Sequence, residues 1–486
     1  MTRRACGRRT TQTLNTIREV RRPGGCFILN EKMVAELQIK VRGEVIGPES
    51  KQYDEARKVY NAMIDKRPSV IVRCLGVADV IAAVKAARSE GLTVAVRGGG
   101  HSVPGFGTAD DALVVDLGRL KGIRVDPVAR TVRAEGGCTW GDFNHATHAF
   151  GLATTGGIIS TTGIAGLTLG GGIGYLTRGA GLSLDNLISA DVVLPDGSFV
   201  TAGPTSHEDL FWALRGGGGN FGIVTNFEFR LHPVQDIVGG PMFFEVEDAP
   251  KVIRAYDRYI TNAPRELGAF FAWQIAPPLP FIPEERHGDT LCAMVVCWTG
   301  KPAEAKKAFA PFREAAPTVA EWVAPMPYPA LNGAFDGLVP PGIQHYWKAV
   351  FVRELTDDAI EAHLEHGPKI PVVNSTMHIY PINGAVHDVP ADATAFGHRD
   401  AKFATVVAGM WPDPAQNKAN TKWVRDYYAA LAPHSEKGGY VNFAAGDDAD
   451  RVGASYGKGY ERLRKIKAKY DPQNVLRHNQ NIVPAA

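Results

Sequence analysis

The sequence predicts an α+β protein of two domains, and three observations carry that reading. Its 486 residues exceed what one hydrophobic core ordinarily supports. Glycine, 53 residues in all, is concentrated between residues 91 and 222, without low complexity, as in loops that approach a ligand closely. From about residue 236 glycine thins, proline and aromatics rise, and the strand-like runs alternate. That change marks a second domain built on a largely antiparallel sheet with one solvated face.

The elements follow in order. "PSVIVRC" (68–74) is a β-branched run and reads as a buried strand. "VADVIAAVKAARSEGL" (77–92) sets Val77, Val80, Ile81, Val84 and Ala87 at helical spacing, and Gly91 ends that helix. "TVAV" (93–96) returns to strand, giving a β-α-β unit, and strands follow at 112–117, 122–126 and 131–137. "TWGDFNHATHAFG" is helical, and residues 188–202 form a hairpin turning at Pro195-Asp196-Gly197. "EDLFWALRGGGGNFGIVTNFEFRLHP" (208–233) reads helix, glycine loop, strand. In the second half, 290–300, 345–355 and 374–386 are strands, and the tail carries an amphipathic helix.

Bulk numbers exclude several classes. Lys+Arg 53 against Asp+Glu 51 leaves +2, too balanced for a nucleic-acid partner. No apolar run reaches the ~18 residues that span a bilayer, so no membrane partner is expected. The six cysteines lie in no CxxC, so no metal is expected, and a reduced, cytoplasmic chain follows most simply. Cys292 and Cys297, five apart on a strand, point to opposite faces, and Cys138 reads as a small buried hydrophobe. Residues 1–45 read as an N-terminal extension, disordered in part, whose Arg-rich stretch 1–32 precedes Met33.

Two motif matches mislead. Gly217, Gly219 and Gly222 spell GxGxxG, but a helix precedes and a strand follows, the reverse of a dinucleotide fold. "GASYG" (453–457) matches GxSxG, yet no strand leads into Ser455. What remains is three glycine-rich segments, 97–107, 156–174 and 216–222, whose bare N–H groups form anion-binding nests. Several such loops without a phosphate-pairing Lys motif suit a long ligand carrying a pyrophosphate.

"VRGGGHSVPGFG", "GIAGLTLGGGIGYLTRGAGLSLDNL", "DLFWALRGGGGNFGIVTNFEF" and "YDPQNVLRHNQNI" resemble the vanillyl-alcohol-oxidase type of flavoproteins, within it the berberine-bridge-enzyme-like oxidoreductases. The resemblance runs in order from about residue 50 to 484. It implies a two-part PCMH-type FAD-binding domain (46–235 with 439–486) and an inserted substrate domain (236–438) of antiparallel sheet covered by helices. It also implies FAD as cofactor, held by Arg97, Gly98, Gly99, Gly100, Ser102 and Gly105, by Gly163, Gly166, Gly170, Gly171 and Gly174, and by Ile223, Asn479 and Asn481. His101 ends the family's R-G-G-x-H and is implied to bond the flavin 8α-methyl carbon; a neutral imidazole is nucleophilic near neutral pH. Where some relatives carry a second, cysteinyl link, this chain has Ile159, so single attachment is expected.

"YVNF" (440–443) resembles the segment whose tyrosine acts as base in alcohol- and sugar-oxidising members, which implies that role for Tyr440. With an ordinary pKa of about 10, that tyrosine needs a neighbour to ionise it, and His378 and Tyr380, two apart on one strand face, are the candidates. The expected chemistry is hydride transfer from an alcohol or sugar C–H of a small-molecule substrate, with O2 as acceptor giving H2O2. An amine-type oxidase, and a dehydrogenase or silent flavin binder, are the alternatives. Nothing in the sequence fixes an oligomeric state.

Overall fold

The computed structural model describes residues 31–444, 446 and 451–486, preceded by the short strands Val20–Arg22 and Gly25–Phe27. The β-α-β unit is present: strand Val70–Arg73 leads through helix Val77–Ser89 to strand Val94–Arg97. Both strands pair in parallel with Leu113–Asp116, and Glu44–Ile46 closes the outer edge antiparallel. Val70, Ile71 and Val72 are wholly buried, as strands covered on both faces require.

The remainder of the expected N-terminal extension lies outside the described residues. From Glu31 onward the extension reading needs correction, because Glu31–Lys40 is a helix. Met33, Leu37 and Val41 recur every four residues, and all three pack into the core of the first sheet.

A second sheet, antiparallel throughout, runs Phe199–Ala202, Leu187–Val193, Ile223–Arg230, Thr131–Glu135, Ile123–Asp126. Its first two strands form the expected hairpin, with Gly197 at φ +80° in the turn. Helix Glu208–Leu214 precedes the third glycine run and strand Ile223–Arg230 follows it, the reverse of a dinucleotide fold. Ser455 sits inside helix Val452–Tyr456, not on a strand-to-helix elbow.

The middle of the chain builds one large antiparallel sheet. Its order is Ala320–Glu321, Asp236–Phe244, Thr290–Trp298, Leu267–Ile275, Thr376–Pro381, Phe403–Trp411, Gln344–Val352, with Ala324–Pro327 also paired to Asp236–Phe244. Helices Ala249–Ile260, Pro302–Arg313, Asp357–His366 and Asn417–Leu431 cover one face. The other face is not solvated, contrary to expectation. Phe243, Phe270, Ala272 and Val295 pack there with Tyr175, Leu182 and Leu184 of the glycine-rich half. The alternation in these strands is of large with small apolar residues, so both faces are buried. Cys292 belongs to the helix side and Cys297 to the other, as their spacing requires.

After residue 439 the chain returns to the first half. Lys467 on helix Tyr460–Tyr470 is wholly buried, paired to Asp471 at 2.6 Å and donating to the carbonyls of Asn220 (2.7 Å) and Leu476 (3.1 Å). Asn220 in turn accepts the Ile482 N–H at 2.9 Å, fastening the tail beside the third glycine run.

Candidate active site

Strand Val94–Arg97 delivers the first glycine loop, with Gly100 at φ +72° turning the chain into His101. The Arg97 guanidinium lies beneath the loop, donating to Asp116 Oδ2 at 2.7 Å and the Lys58 carbonyl at 3.1 Å. Its charge is therefore neutralised inside the fold, and Arg97 shapes the loop from below. Ser102 Oγ accepts the Phe106 N–H at 3.2 Å and closes the turn that contains Gly105, φ +82°.

The His101 imidazole stacks on Tyr60, centroids 3.7 Å apart and planes 20° from parallel. Thr161 Oγ1 lies 3.1 Å from its Nε2 and Thr162 Oγ1 3.4 Å from its Nδ1. Burial pushes this histidine down to about 4, so the ring is neutral at pH 7. Tyr60 also contacts His345, centroids 4.8 Å apart, and both ring nitrogens of the buried His345 lack a partner among the described residues. Neither Tyr60 nor His345 stands in a motif, and the sequence reading missed both. The one available signal was the position of His345 on a strand of the inserted sheet.

The glycine loops meet each other directly. A Cβ added to Gly99 would lie 2.5 Å from Gly163 N, and one added to Gly163 would lie 2.5 Å from Gly99 N. Gly166 alone in the second run faces open space. At Gly170 a Cβ would fall 2.1 Å from Asn442 Oδ1, at Gly171 2.9 Å from the Tyr440 ring, and at Gly174 1.8 Å from the Gly156 carbonyl. Gly170 and Gly171 therefore make room for the returning chain. In the third run Gly216 abuts Phe396 N and Gly222 abuts Val192, while the Ile223 side chain is buried in the core. Gly216, Gly217 and Gly222 thus accommodate protein, whereas Gly219 faces open space.

Tyr440 is 2 % exposed. Its hydroxyl oxygen accepts the Gly172 N–H at 2.7 Å and an Asn442 Nδ2–H at 2.9 Å. Burial pushes it up to about 12, against the downward pull of Gly172, Asn442 and the Ile173 N–H. The helpers expected from the sequence do not bond to it. Thr376 Oγ1 donates to the Trp273 carbonyl at 3.0 Å, so at 2.9 Å it must accept from His378 Nε2–H. Burial holds His378 neutral, down to about 3, so its Nδ1 is bare and takes the Tyr380 O–H at 2.5 Å. His378 and Tyr380 thus serve each other, and Phe443 packs between Tyr380 and Tyr440, its centroid 4.9 Å from that of Tyr440 and 6.4 Å from that of Tyr380.

A cavity of about 540 Å³ opens between the large sheet and the glycine-rich half, with Ile158 and Ile159 on one side and Phe270, Val295 and His378 on the other. On the returning tail, Asn479 Nδ2 donates to the carbonyls of Gly219 (3.3 Å) and Leu476 (3.0 Å). Asn479 Oδ1 and Asn481 Oδ1 find no donor among the described residues.

Comparison with known proteins decides the family. Residues 68–203 match the FAD binding domain and residues 439–483 the berberine and berberine-like segment. An FAD-linked oxidoreductase of Dictyostelium discoideum is 31% identical over 459 residues, covering 93% of this chain and 97% of its own. The chain belongs to the berberine-bridge-enzyme-like FAD-linked oxidoreductases. Another member, (R)-6-hydroxynicotine oxidase of Paenarthrobacter nicotinovorans, is 29% identical over 457 residues, covering 92% of this chain and 98% of its own. The crystal structure of 6-hydroxy-D-nicotine oxidase from Arthrobacter nicotinovorans superposes with a TM-score of 0.81 at 27% identity, over 92% of this chain and 98% of that one. As a member of this family the chain is an FAD-dependent oxidoreductase with the two-part PCMH-type domain and its inserted sheet. Among the described residues no helix is long and apolar enough to cross a membrane.

Proposed function

We propose that the chain is an alcohol oxidase: a substrate carbon bearing a hydroxyl loses a hydride, Tyr440 takes the hydroxyl proton, and a carbonyl results. Bound FAD supplies the two-electron acceptor at N5, and O2 restores it with release of H2O2. The observation that carries the reading is the Tyr440 oxygen, which among the described residues faces N–H donors alone. Gly172, Ile173 and Asn442 are fixed by the fold before any substrate arrives, and their N–H groups pull Tyr440 toward the phenolate against the larger opposing effect of burial.

The residues fit FAD. Gly98, Gly99 and Gly100 offer backbone N–H groups, while the unmet Asn479 Oδ1 and Asn481 Oδ1 suit donors on a flavin or ribityl edge. His101, neutral and held by Tyr60, Thr161 and Thr162, is the attachment point, and Ile159 offers no sulfur for a second link. In this reading residues 46–235 and 439–486 bind the cofactor and 236–438 the substrate. The buried free thiols of Cys74, Cys138, Cys292 and Cys297 suit a reducing compartment such as the cytoplasm.

Peroxide formation tests the reading. Purified protein mixed with primary and secondary alcohols in air should release H2O2 in step with the carbonyl product. Reduction of an artificial dye without peroxide would instead mark a dehydrogenase.

A further inference from the structure

We propose that the cavity between the two halves takes an uncharged, mainly apolar, ring-bearing alcohol, in preference to a sugar or a protonated amine; this rests on the alcohol-oxidising reading above. At about 540 Å³ the cavity has the size of a small-ligand site. Five aromatic side chains line it, Phe243, Phe270, Phe281, Trp322 and Phe335, and among the described residues no Asp, Glu, Lys or Arg does. A buried cation would meet no carboxylate there, and desolvation would oppose its entry. Aromatic rings gain instead from offset or edge-on contact with a flat apolar ligand.

The polar side chains of the wall are Gln274, Asn374, Thr376 and His378. Most of their donors are already engaged. Gln274 Nε2 donates to the Val373 carbonyl at 2.6 Å and Asn374 Nδ2 to the Leu338 carbonyl at 2.7 Å. Thr376 and His378 belong to the chain of bonds that begins at Tyr380. The wall therefore offers mainly acceptors, the side-chain oxygens of Gln274 and Asn374, which suit a ligand that donates one or two hydroxyls. A sugar, with a hydroxyl on nearly every carbon, would leave most of them unmet against the aromatic side. Phe281 stacks on the partly exposed Trp322, centroids 6.0 Å apart, at the rim of this apolar side.

The test uses the yellow holoenzyme and three probes: cinnamyl alcohol, xylobiose and N-methylbenzylamine. Binding is read by titration calorimetry and reduction by anaerobic bleaching of the flavin band. Cinnamyl alcohol should bind at least tenfold tighter than either other probe and bleach the flavin. Tighter binding of xylobiose or of the amine, or no binding of any probe, overturns the proposal. Cinnamyl alcohol that binds without bleaching supports the cavity assignment and overturns the alcohol-oxidising reading, so the two fail separately. Val295→Asp should weaken cinnamyl alcohol at least tenfold and reverse the preference toward the amine. Should that variant lose its colour, Phe270→Ala serves, with the same loss for the alcohol. Unchanged affinity in a folded, coloured variant of either kind overturns the proposal.

Discussion

The Tyr440 hydroxyl accepts the Gly172 N–H at 2.7 Å, joining residues 268 positions apart, and Gly171 lacks the Cβ that would strike the same ring. Tyr440→Phe removes that acceptor and leaves the Gly172 N–H and an Asn442 amide proton unmet. Rapid anaerobic mixing should show flavin reduction slowed about 10²- to 10⁴-fold, the usual worth of a positioned base. Flavin content should stay the same. A rate within twofold of the parent would remove Tyr440 from the chemistry.

The pH profile follows from the same environment. Burial holds Tyr440 near 12, and the base is its deprotonated form, so below that value the active fraction falls about tenfold per pH unit. The logarithm of kcat/KM should therefore climb steadily with pH across the neutral and mildly alkaline range. A plateau beginning near neutrality would mean another group takes the proton.

His101→Ala should release all flavin on acid precipitation, whereas the parent pellet stays yellow. Peptide mass spectrometry should locate the flavin on the peptide containing His101 and on none containing Ile159. Colour that stays with denatured His101→Ala protein would show attachment elsewhere.

Acid should weaken the fold before carboxylates titrate. Burial lowers His345, His363 and His378 to about 3. Unfolded, each has a value of about 6.5 and binds a proton that the folded form refuses. Their stabilisation is complete above about pH 6.5 and declines as pH falls toward the folded values, by roughly 1.4 kcal/mol per pH unit for each histidine. The melting temperature should drop steadily from pH 6.5 to 5, and His363→Phe, which gives up the bond to Tyr427, should flatten that slope.

Lys467→Ala leaves Asp471 as a buried carboxylate without its cation. Such a change costs about 3–5 kcal/mol. Denaturant unfolding should show a loss of that order, together with lower flavin incorporation, because Lys467 also holds the carbonyls of Asn220 and Leu476. A loss under 1 kcal/mol would mean the pair is dispensable.

Much of the first half was legible because its signals are local. The β-branched runs, the helical spacing of 77–92 and the Pro-Asp-Gly turn each specify an element without distant help, and R-G-G-x-H marks its own loop. The face of the large sheet was misjudged because alternation of Phe with Ala looks much like alternation of apolar with polar when the opposing layer is unknown. The glycines of 170–174 and 216–222 carry the same ambiguity. A missing Cβ tells that something comes close, and only the tertiary contact tells whether that is a ligand or the chain itself. Tyr60 and His345 were invisible for a related reason, since a ring contact across 285 positions of sequence leaves no periodic trace.

The meeting of Gly170–Gly172 with Tyr440–Asn442 also orders events during synthesis. When the ribosome has made the glycine run, the side chains that fill its hollows are still about 270 codons away. The first half can form its sheets early, yet the hollow at Gly170–Gly172 stays open until the last tenth of the chain has emerged and docked. A transcript cut short within that tenth would yield a protein with all three main sheets and no finished active site.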